Sequence, residues 1–250
     1  MRLLKFLSFS FLLATLTSCT FTENINITDS GTGKFSLEMD GSALMKMAGE
    51  QLGNEVNDSK QKIDTTFSFK EMFKNKKDSI AKLSPEEQKE LKKLENFLVN
   101  MKMNTTENQF LLNLNSDFKN VNELQDMMKS LSAIQNIEKN KSSDAKLPFD
   151  GNFSNNSTVS YNYDGKKFNR KVVLNPKETI KPVADSLGMN KMIFASSTYI
   201  LKYNFPKKVK KVSNSNAVFS EDRKTITIEY PFTDYMENPT KMALEVEFEK

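Results

Sequence analysis

Apolar and polar residues alternate along several short segments of the chain, and this period of two predicts β-strands arranged largely as successive hairpins. Strand pairs are predicted at residues 24–28 with 35–39, 101–104 with 110–114, and 157–163 with 168–174. Further strands are predicted at residues 62–69, 199–205, 217–219, 225–230 and 244–248. The hairpin signal is strongest at Asp164-Gly165, because this dipeptide suits a two-residue turn whose twist matches that of paired strands.

Helical spacing appears between the strands. Ser84-Pro85-Glu86-Glu87 has an N-cap residue, a proline at the first helical position and acidic residues beside the positive end of the helix dipole. The predicted buried stripe of this helix is Leu91, Leu94, Phe97 and Leu98. Other helices are predicted after Ser42, at about 122–137 and after Pro176. A hairpin followed by a helix therefore occurs twice in the first half of the chain.

These elements predict an α+β fold, with an antiparallel sheet built from successive β-hairpins and amphipathic helices on one face. A partly closed β-barrel with helices is the alternative. The polar stretch 138–156 lacks sustained periodicity and contains Pro148 and Gly151, so it is predicted to be a loop or linker. It would separate an N-terminal hairpin-plus-helix region, 19–137, from a C-terminal antiparallel β region with short helices, 157–250.

The first 18 residues have the architecture of a cleavable export signal. Arg2 and Lys5 provide a short positive region, and a mostly apolar stretch follows at residues 6–16. A stretch of about 11 residues is too short to cross the core of a bilayer, which needs about 20. We therefore predict a signal peptide at residues 1–18 and no transmembrane anchor.

The apolar stretch ends in Leu16-Thr17-Ser18-Cys19. This tetrapeptide resembles the lipobox of bacterial lipoproteins, which has a branched aliphatic residue, two small residues and an invariant cysteine. The resemblance implies that Cys19 is the lipidation site: a diacylglyceryl group is joined to its sulfur, and a lipoprotein signal peptidase cuts before it. An ordinary secretory signal cut near Ser18 is the alternative. Multiple acyl chains make anchoring durable, whereas one chain gives only marginal binding.

The residues after Cys19 bear on localisation. Thr20 does not match the aspartate that resembles an inner-membrane retention signal in enteric bacteria, which favours the outer membrane. The composition, rich in Asn, Lys, Ile and Phe, resembles that of uncharacterised envelope lipoproteins of Bacteroidota. In that group a cluster of acidic residues after the cysteine can mark surface export, and residues 20–26 contain only Glu23. We expect a lipid-anchored envelope protein that faces the periplasm. The C-terminal portion contains Tyr203-Asn204-Phe205-Pro206, a Lys-rich segment, a turn at 220–225 and Ile226-Thr227-Ile228. In these features it resembles the LppM lipoprotein domain, and no functional residue is carried across.

Composition excludes several function classes. The net charge is +4, and Arg2 and Lys5 leave with the signal, so a nucleic-acid partner is not expected. The chain has no histidine and one cysteine, which removes the usual base for a serine nucleophile and the commonest zinc ligand. Glu86 with Glu87 fits a helix start, and Glu221 with Asp222 fits a solvated turn. We predict no catalytic residue, no cofactor-binding residue and no metal site.

Two function classes remain open. The favoured one is a non-catalytic envelope lipoprotein that is bound to the membrane through its lipid anchor and that binds an envelope protein or an apolar ligand. The other is an envelope enzyme that uses carboxylates or hydroxyls without histidine. The run Lys207-Lys208-Val209-Lys210-Lys211 could contact anionic headgroups. The favoured interpretation is that these lysines protect an exposed strand from edge-to-edge pairing.

Overall fold

A computed structural model describes residues 18–43, 45–46, 61–74, 76–124, 157–175 and 195–250. The strands are β1 Thr20–Ile27, β2 Gly33–Asp40, β3 Lys62–Ser68, β4 Leu98–Asn104, β5 Gln109–Phe118, β6 Ser157–Tyr163, β7 Lys167–Leu174, β8 Thr198–Asn204, β9 Val209–Val212, β10 Val218–Phe219, β11 Thr225–Pro231 and β12 Leu244–Phe248. The α-helices are α1 Phe69–Lys74, α2 Lys77–Ile80, α3 Pro85–Leu94 and α4 Phe232–Glu237. Two short 3₁₀-helices span Val121–Glu123 and Pro239–Met242.

Eight strands form the large sheet, in the order β10-β11-β8-β1-β2-β5-β4-β3. Its neighbours pair antiparallel except β1 and β8, which are parallel. This pairing aligns Thr20 with Thr198 and Asn26 with Asn204, so the first strand of the chain lies in the interior of the sheet. The large sheet therefore contains strands from both of the predicted regions.

The small sheet has four strands, in the order β6-β7-β12-β9. The described β6–β7 hairpin turns at Gly165 and Lys166, where Gly165 has a φ of 80° that a residue with a Cβ adopts only at a cost. β9 is an edge strand and carries Lys210 and Lys211 exposed. This placement agrees with the interpretation that the lysines protect an edge.

The two sheets pack face to face because each alternates apolar and polar side chains. The inner face of the large sheet contributes Phe21, Ile25, Phe35, Leu37, Leu112, Leu114, Leu201 and Ile228, all buried. The small sheet contributes Val159, Phe168, Leu244, Val246 and Phe248. α1 and α3 add Phe69, Phe73, Leu91 and Leu94 to the same core.

The α3 helix begins as the sequence predicts. The Ser84 hydroxyl accepts a hydrogen bond from the Glu87 backbone N–H, and the Glu87 carboxylate accepts one from the Ser84 backbone N–H. This reciprocal capping satisfies two amides that have no partner inside the helix. The predicted stripe is wrong at Leu98, which is 47% exposed and begins β4, because the helix ends at Leu94.

The predicted fold class holds at the coarser level. The strands form antiparallel hairpins, but they make two sheets rather than one, and helices are few and short among the described residues. Among the described strands neither sheet closes on itself, so the structure has two open sheets and is not a closed barrel. The predicted linker 138–156, the helix after Pro176 and most of the helices after Ser42 and at 122–137 lie outside the described residues.

Candidate functional site

Cys19 lies directly against the folded domain. It precedes the first residue of β1, and its carbonyl oxygen accepts a hydrogen bond of 3.0 Å from the Thr198 backbone N–H. Its side chain has the same parity along the chain as the inward-facing Phe21 and Glu23, and it is 3% exposed. The predicted lipidation site therefore lies at the start of β1, a strand with neighbours on both sides in the large sheet.

A buried ionic cluster connects the two sheets. Glu23 on β1 is 3% exposed, and Arg170 on β7 is 2% exposed. The Nη2 and Nε atoms of Arg170 each lie 3.4 Å from a Glu23 carboxylate oxygen. The hydroxyls of Tyr161, Tyr199 and Tyr203 all donate hydrogen bonds to the same carboxylate. One charge on the large sheet is thus paired with one charge on the small sheet.

The third nitrogen of the Arg170 guanidinium is also hydrogen-bonded. Its Nη1 atom donates to the Met242 carbonyl oxygen at 3.0 Å, which connects β7 to the 3₁₀-helix before β12. Among the described residues, no buried side-chain nitrogen or oxygen lacks a hydrogen-bond partner. The cluster is therefore satisfied internally, as buried charges must be if they are not to destabilise the fold.

The electrostatics of the cluster follow from burial and pairing. Desolvation raises the pKa of Glu23, but the Arg170 charge and the hydrogen bonds from Tyr203 and Tyr161 outweigh it, so the pKa lies below its ordinary value. Desolvation and the neighbouring Glu23 charge raise the pKa of Tyr203 well above its ordinary value. The carboxylate is therefore ionised and the phenol is neutral at neutral pH.

The buried position of the Glu23–Arg170 pair suits a structural role. Glu23 makes its contacts with side chains of the protein interior, and neither it nor Arg170 is exposed enough to meet a substrate. A general acid or base must reach the atom whose proton it moves. The geometry thus favours a fixed connection between sheets over proton transfer.

The sequence carried a signal for this cluster that the strand prediction missed. The predicted first strand began at residue 24, and extending its alternation backwards places Glu23 on the same face as Ile25. The predicted strand 168–174 likewise places Arg170 on the face of Phe168. A charged residue on each inward face predicts pairing, because a lone buried charge is costly.

The outer face of the large sheet is polar, as expected for a sheet with one solvated side. Amide and hydroxyl side chains form a hydrogen-bonded row across it: Asn115 donates to Asn100 at 2.9 Å, and Asn100 donates to Thr66 at 2.8 Å. On the neighbouring strands, Asn24 donates to Ser36 at 3.2 Å. The row presents both donors and acceptors to the solvent.

A cleft of about 800 Å³ lies on this outer face, across β1, β2, β5, β4 and β3. Its ionisable lining residues are Glu38, Asp40, Asp64 and Lys102. Lys102 Nζ lies 3.4 Å from Asp64 Oδ2, so one of the three carboxylates is paired with the lysine. The lining is therefore acidic on balance.

One carboxylate of each acidic pair considered from the sequence has a structural role. Glu87 caps α3, as described above. Asp222 accepts a hydrogen bond from the Ser220 hydroxyl in the turn between β10 and β11. Glu221 is exposed in the same turn. The structure brings none of Glu87, Glu221 and Asp222 to the buried cluster.

The described part of the chain shows neither a metal site nor a membrane-spanning helix. Within it, no group of three or more Cys, Asp or Glu residues is arranged to hold a metal ion. No helix in that part has the length and apolar character needed to span a bilayer. Comparison with protein-family models, with curated proteins and with solved structures gave no match.

Proposed function

We propose that this protein is a lipid-anchored, non-catalytic binding domain of the bacterial cell envelope, attached through Cys19 to the outer membrane on its periplasmic side. The observation that carries the proposal is the coincidence of two boundaries. The lipobox-like tetrapeptide ends at Cys19, and β1 begins at Thr20. Cleavage before Cys19 would remove no strand of the described fold and would leave the acylated residue at its first strand.

The ionic cluster supports a non-catalytic role. Glu23 and Arg170 are the charged pair most removed from solvent among the described residues, and their donors and acceptors are engaged with each other, with tyrosine hydroxyls and with a backbone carbonyl. An enzyme that relied on carboxylates would need one of them to face its substrate.

For the binding surface we propose the cleft on the outer face of the large sheet. Its lining combines amides, hydroxyls and carboxylates, so it suits a polar partner that is neutral or positively charged. This differs from the apolar ligand expected from the sequence. Most apolar side chains of the described sheets pack between the two sheets, whereas the cleft lies on the opposite face, where Leu111 adds an apolar contact to its polar lining.

Site-specific photocrosslinking in cells tests the binding surface. A photoreactive amino acid replaces Lys102, which lines the cleft and whose side chain is 56% exposed. The matched control replaces Lys171, which is exposed on β7 of the small sheet. We expect a discrete crosslinked product from position 102 and none from position 171. No product from either position, or the same products from both, would contradict the assignment of the cleft.

A further inference from the structure

We propose that the protein rests on the bilayer through one defined end of its two-sheet domain, which we name the base. The base consists of Cys19, residues 195–197 before β8, and the segment from α4 to the 3₁₀-helix Pro239–Met242. The partner of this surface is a lipid bilayer. The inference rests on the proposed acylation of Cys19 and adds the orientation in which the anchored domain is held.

The first step is the absence of a tether between Cys19 and the sheet. Thr20 pairs with Asp40 on β2 and with Thr198 on β8, so β1 is fixed on both sides from its first residue. The Cys19 carbonyl is itself bonded to the Thr198 amide. The sulfur of Cys19 faces the interior, and the residue is 3% exposed. Acyl chains on the sulfur would therefore have to leave the domain past this end, within one residue of a strand inside the large sheet.

The second step identifies which residues share that end of the domain. β11 ends at Pro231, which aligns with Thr198, and α4 follows at once. The Phe232 amide donates to the Ser197 carbonyl at 2.8 Å, and the Phe232 ring stacks on Phe21 with centroids 4.3 Å apart. The chain then continues through Pro239–Met242 into β12 of the small sheet. This segment thus closes the interior between the sheets beside Cys19.

The third step locates the opposite end. β1 has eight residues, which span about 26 Å, and it ends at the turn that leads into β2. Tyr163 at the end of β6 lies against Gly31 of that turn. Lys207 Nζ donates to the Gly165 carbonyl in the β6–β7 turn at 3.0 Å. The lysine-rich segment therefore begins at the end of the domain remote from Cys19, away from the membrane that holds the anchor.

The fourth step concerns charge. In the described base the exposed residues Glu237 and Lys241 balance each other, and Lys241 is also bonded to Asp234 at 2.7 Å. Exposed Asp40, which pairs with Thr20 at the same end, adds a negative charge. A polybasic surface would be drawn to anionic lipid, but this surface has no net positive charge. Orientation would therefore come from the short attachment at Cys19 and would persist at high salt.

Single-cysteine labelling of the lipidated protein tests the orientation. Cys19 is the sole cysteine of the chain, so an introduced cysteine is the one free thiol once the sulfur of Cys19 is acylated. Lys241→Cys places a fluorophore on the base, and the matched Lys166→Cys places one in the turn at the remote end. The full-length protein is expressed in cells, purified and reconstituted in vesicles of phosphatidylethanolamine and phosphatidylglycerol that carry a nitroxide-labelled headgroup lipid.

We expect strong nitroxide quenching at position 241 and none at position 166, unchanged by high salt. A flexible Gly/Ser insert of about twelve residues between Cys19 and Thr20, with a reach of about 20 Å, should abolish the difference. Equal quenching of both labels without the insert, or stronger quenching at position 166, would overturn the orientation. Failure of the protein to float with the vesicles, together with two reactive thiols per chain, would instead overturn the anchor and the orientation with it.

Discussion

Arg170 Nη2 lies 3.4 Å from Glu23 Oε2, and this ion pair joins the two sheets inside the core. Removing one partner should leave the other as a buried unpaired charge. We expect Arg170→Met to lower the free energy of unfolding by about 3–5 kcal/mol in chemical denaturation. The matched Lys167→Met variant removes a pair with Glu245 on the exposed side of the same strand and should cost under about 1 kcal/mol.

The double variant Glu23→Gln with Arg170→Met tests whether the two charges act as a pair. The double variant should lose less unfolding free energy than the sum of the two single losses. Each single variant leaves one charge buried without its partner, whereas the double variant removes both charges. The amide oxygen of glutamine can still accept from the tyrosine hydroxyls. Additive losses in the same denaturation experiment would show that the pair is not coupled.

The tyrosine hydroxyls should contribute unequally to the free energy of unfolding, because they differ in what they contact. Tyr203→Phe removes a donor to the Glu23 carboxylate and should cost about 1.5–3 kcal/mol, as expected for a hydrogen bond to a charged group. Tyr163 is only partly buried, and Tyr163→Phe should change the unfolding free energy by less than about 0.5 kcal/mol. Equal losses in urea denaturation would contradict the proposed role of Tyr203.

The depressed pKa of Glu23 predicts a pH dependence. Its contribution to stability is fully present above its ordinary pKa of 4.5 and is lost as the pH falls through the lower value of the folded state. Stability should therefore fall below pH 4.5, by up to about 1.4 kcal/mol per pH unit for this one group. Glu23→Gln should reduce that slope in denaturation curves measured across the acid range. An unchanged slope would mean that Glu23 is not the titrating group.

Two glycines of the hairpins should respond differently to alanine. A Cβ at Gly33 would lie 1.9 Å from the Asn26 carbonyl oxygen and 2.5 Å from the Phe118 ring, so backbone must move. A Cβ at Gly165 meets nothing within 4 Å, and the cost there comes from its positive φ alone, about 1 kcal/mol. Gly33→Ala should therefore lower the thermal midpoint more than Gly165→Ala. The reverse order would contradict the close packing of the first hairpin.

Much of the local structure could be predicted because its causes lie within a few residues. The β6–β7 hairpin and the Ser84 cap depend on local backbone chemistry, and both occur where the sequence predicts them. The two residues at the tip of the hairpin are Gly165 and Lys166, between Asp164 and Lys167, rather than the predicted Asp164-Gly165. The separation into two sheets could not be predicted, because the parallel pairing of β1 with β8 joins residues about 180 positions apart. Alternation assigns a side chain to a face, but it does not say which sheet will cover that face.

In the candidate site, too, the contiguous feature could be predicted from the sequence and the features assembled from distant strands could not. The motif at Cys19 was visible because the lipobox is contiguous, and its function remains a prediction. The Glu23–Arg170 cluster draws its members from β1, β6, β7 and β8, so no short segment contains it. Its one signal was a charge on an inward-facing position of each of two strands. Likewise, the cleft is formed by side chains of five strands, which become neighbours only in the folded sheet.

The central claim is that Cys19 carries the lipid anchor. Metabolic labelling with an alkyne fatty acid, followed by click detection of the purified protein, compares the wild type with Cys19→Ala. We predict label on the wild type alone, together with accumulation of uncleaved precursor for the variant, because the sulfur is where acylation begins. Equal labelling of both proteins, or no label on the wild type, would contradict the account.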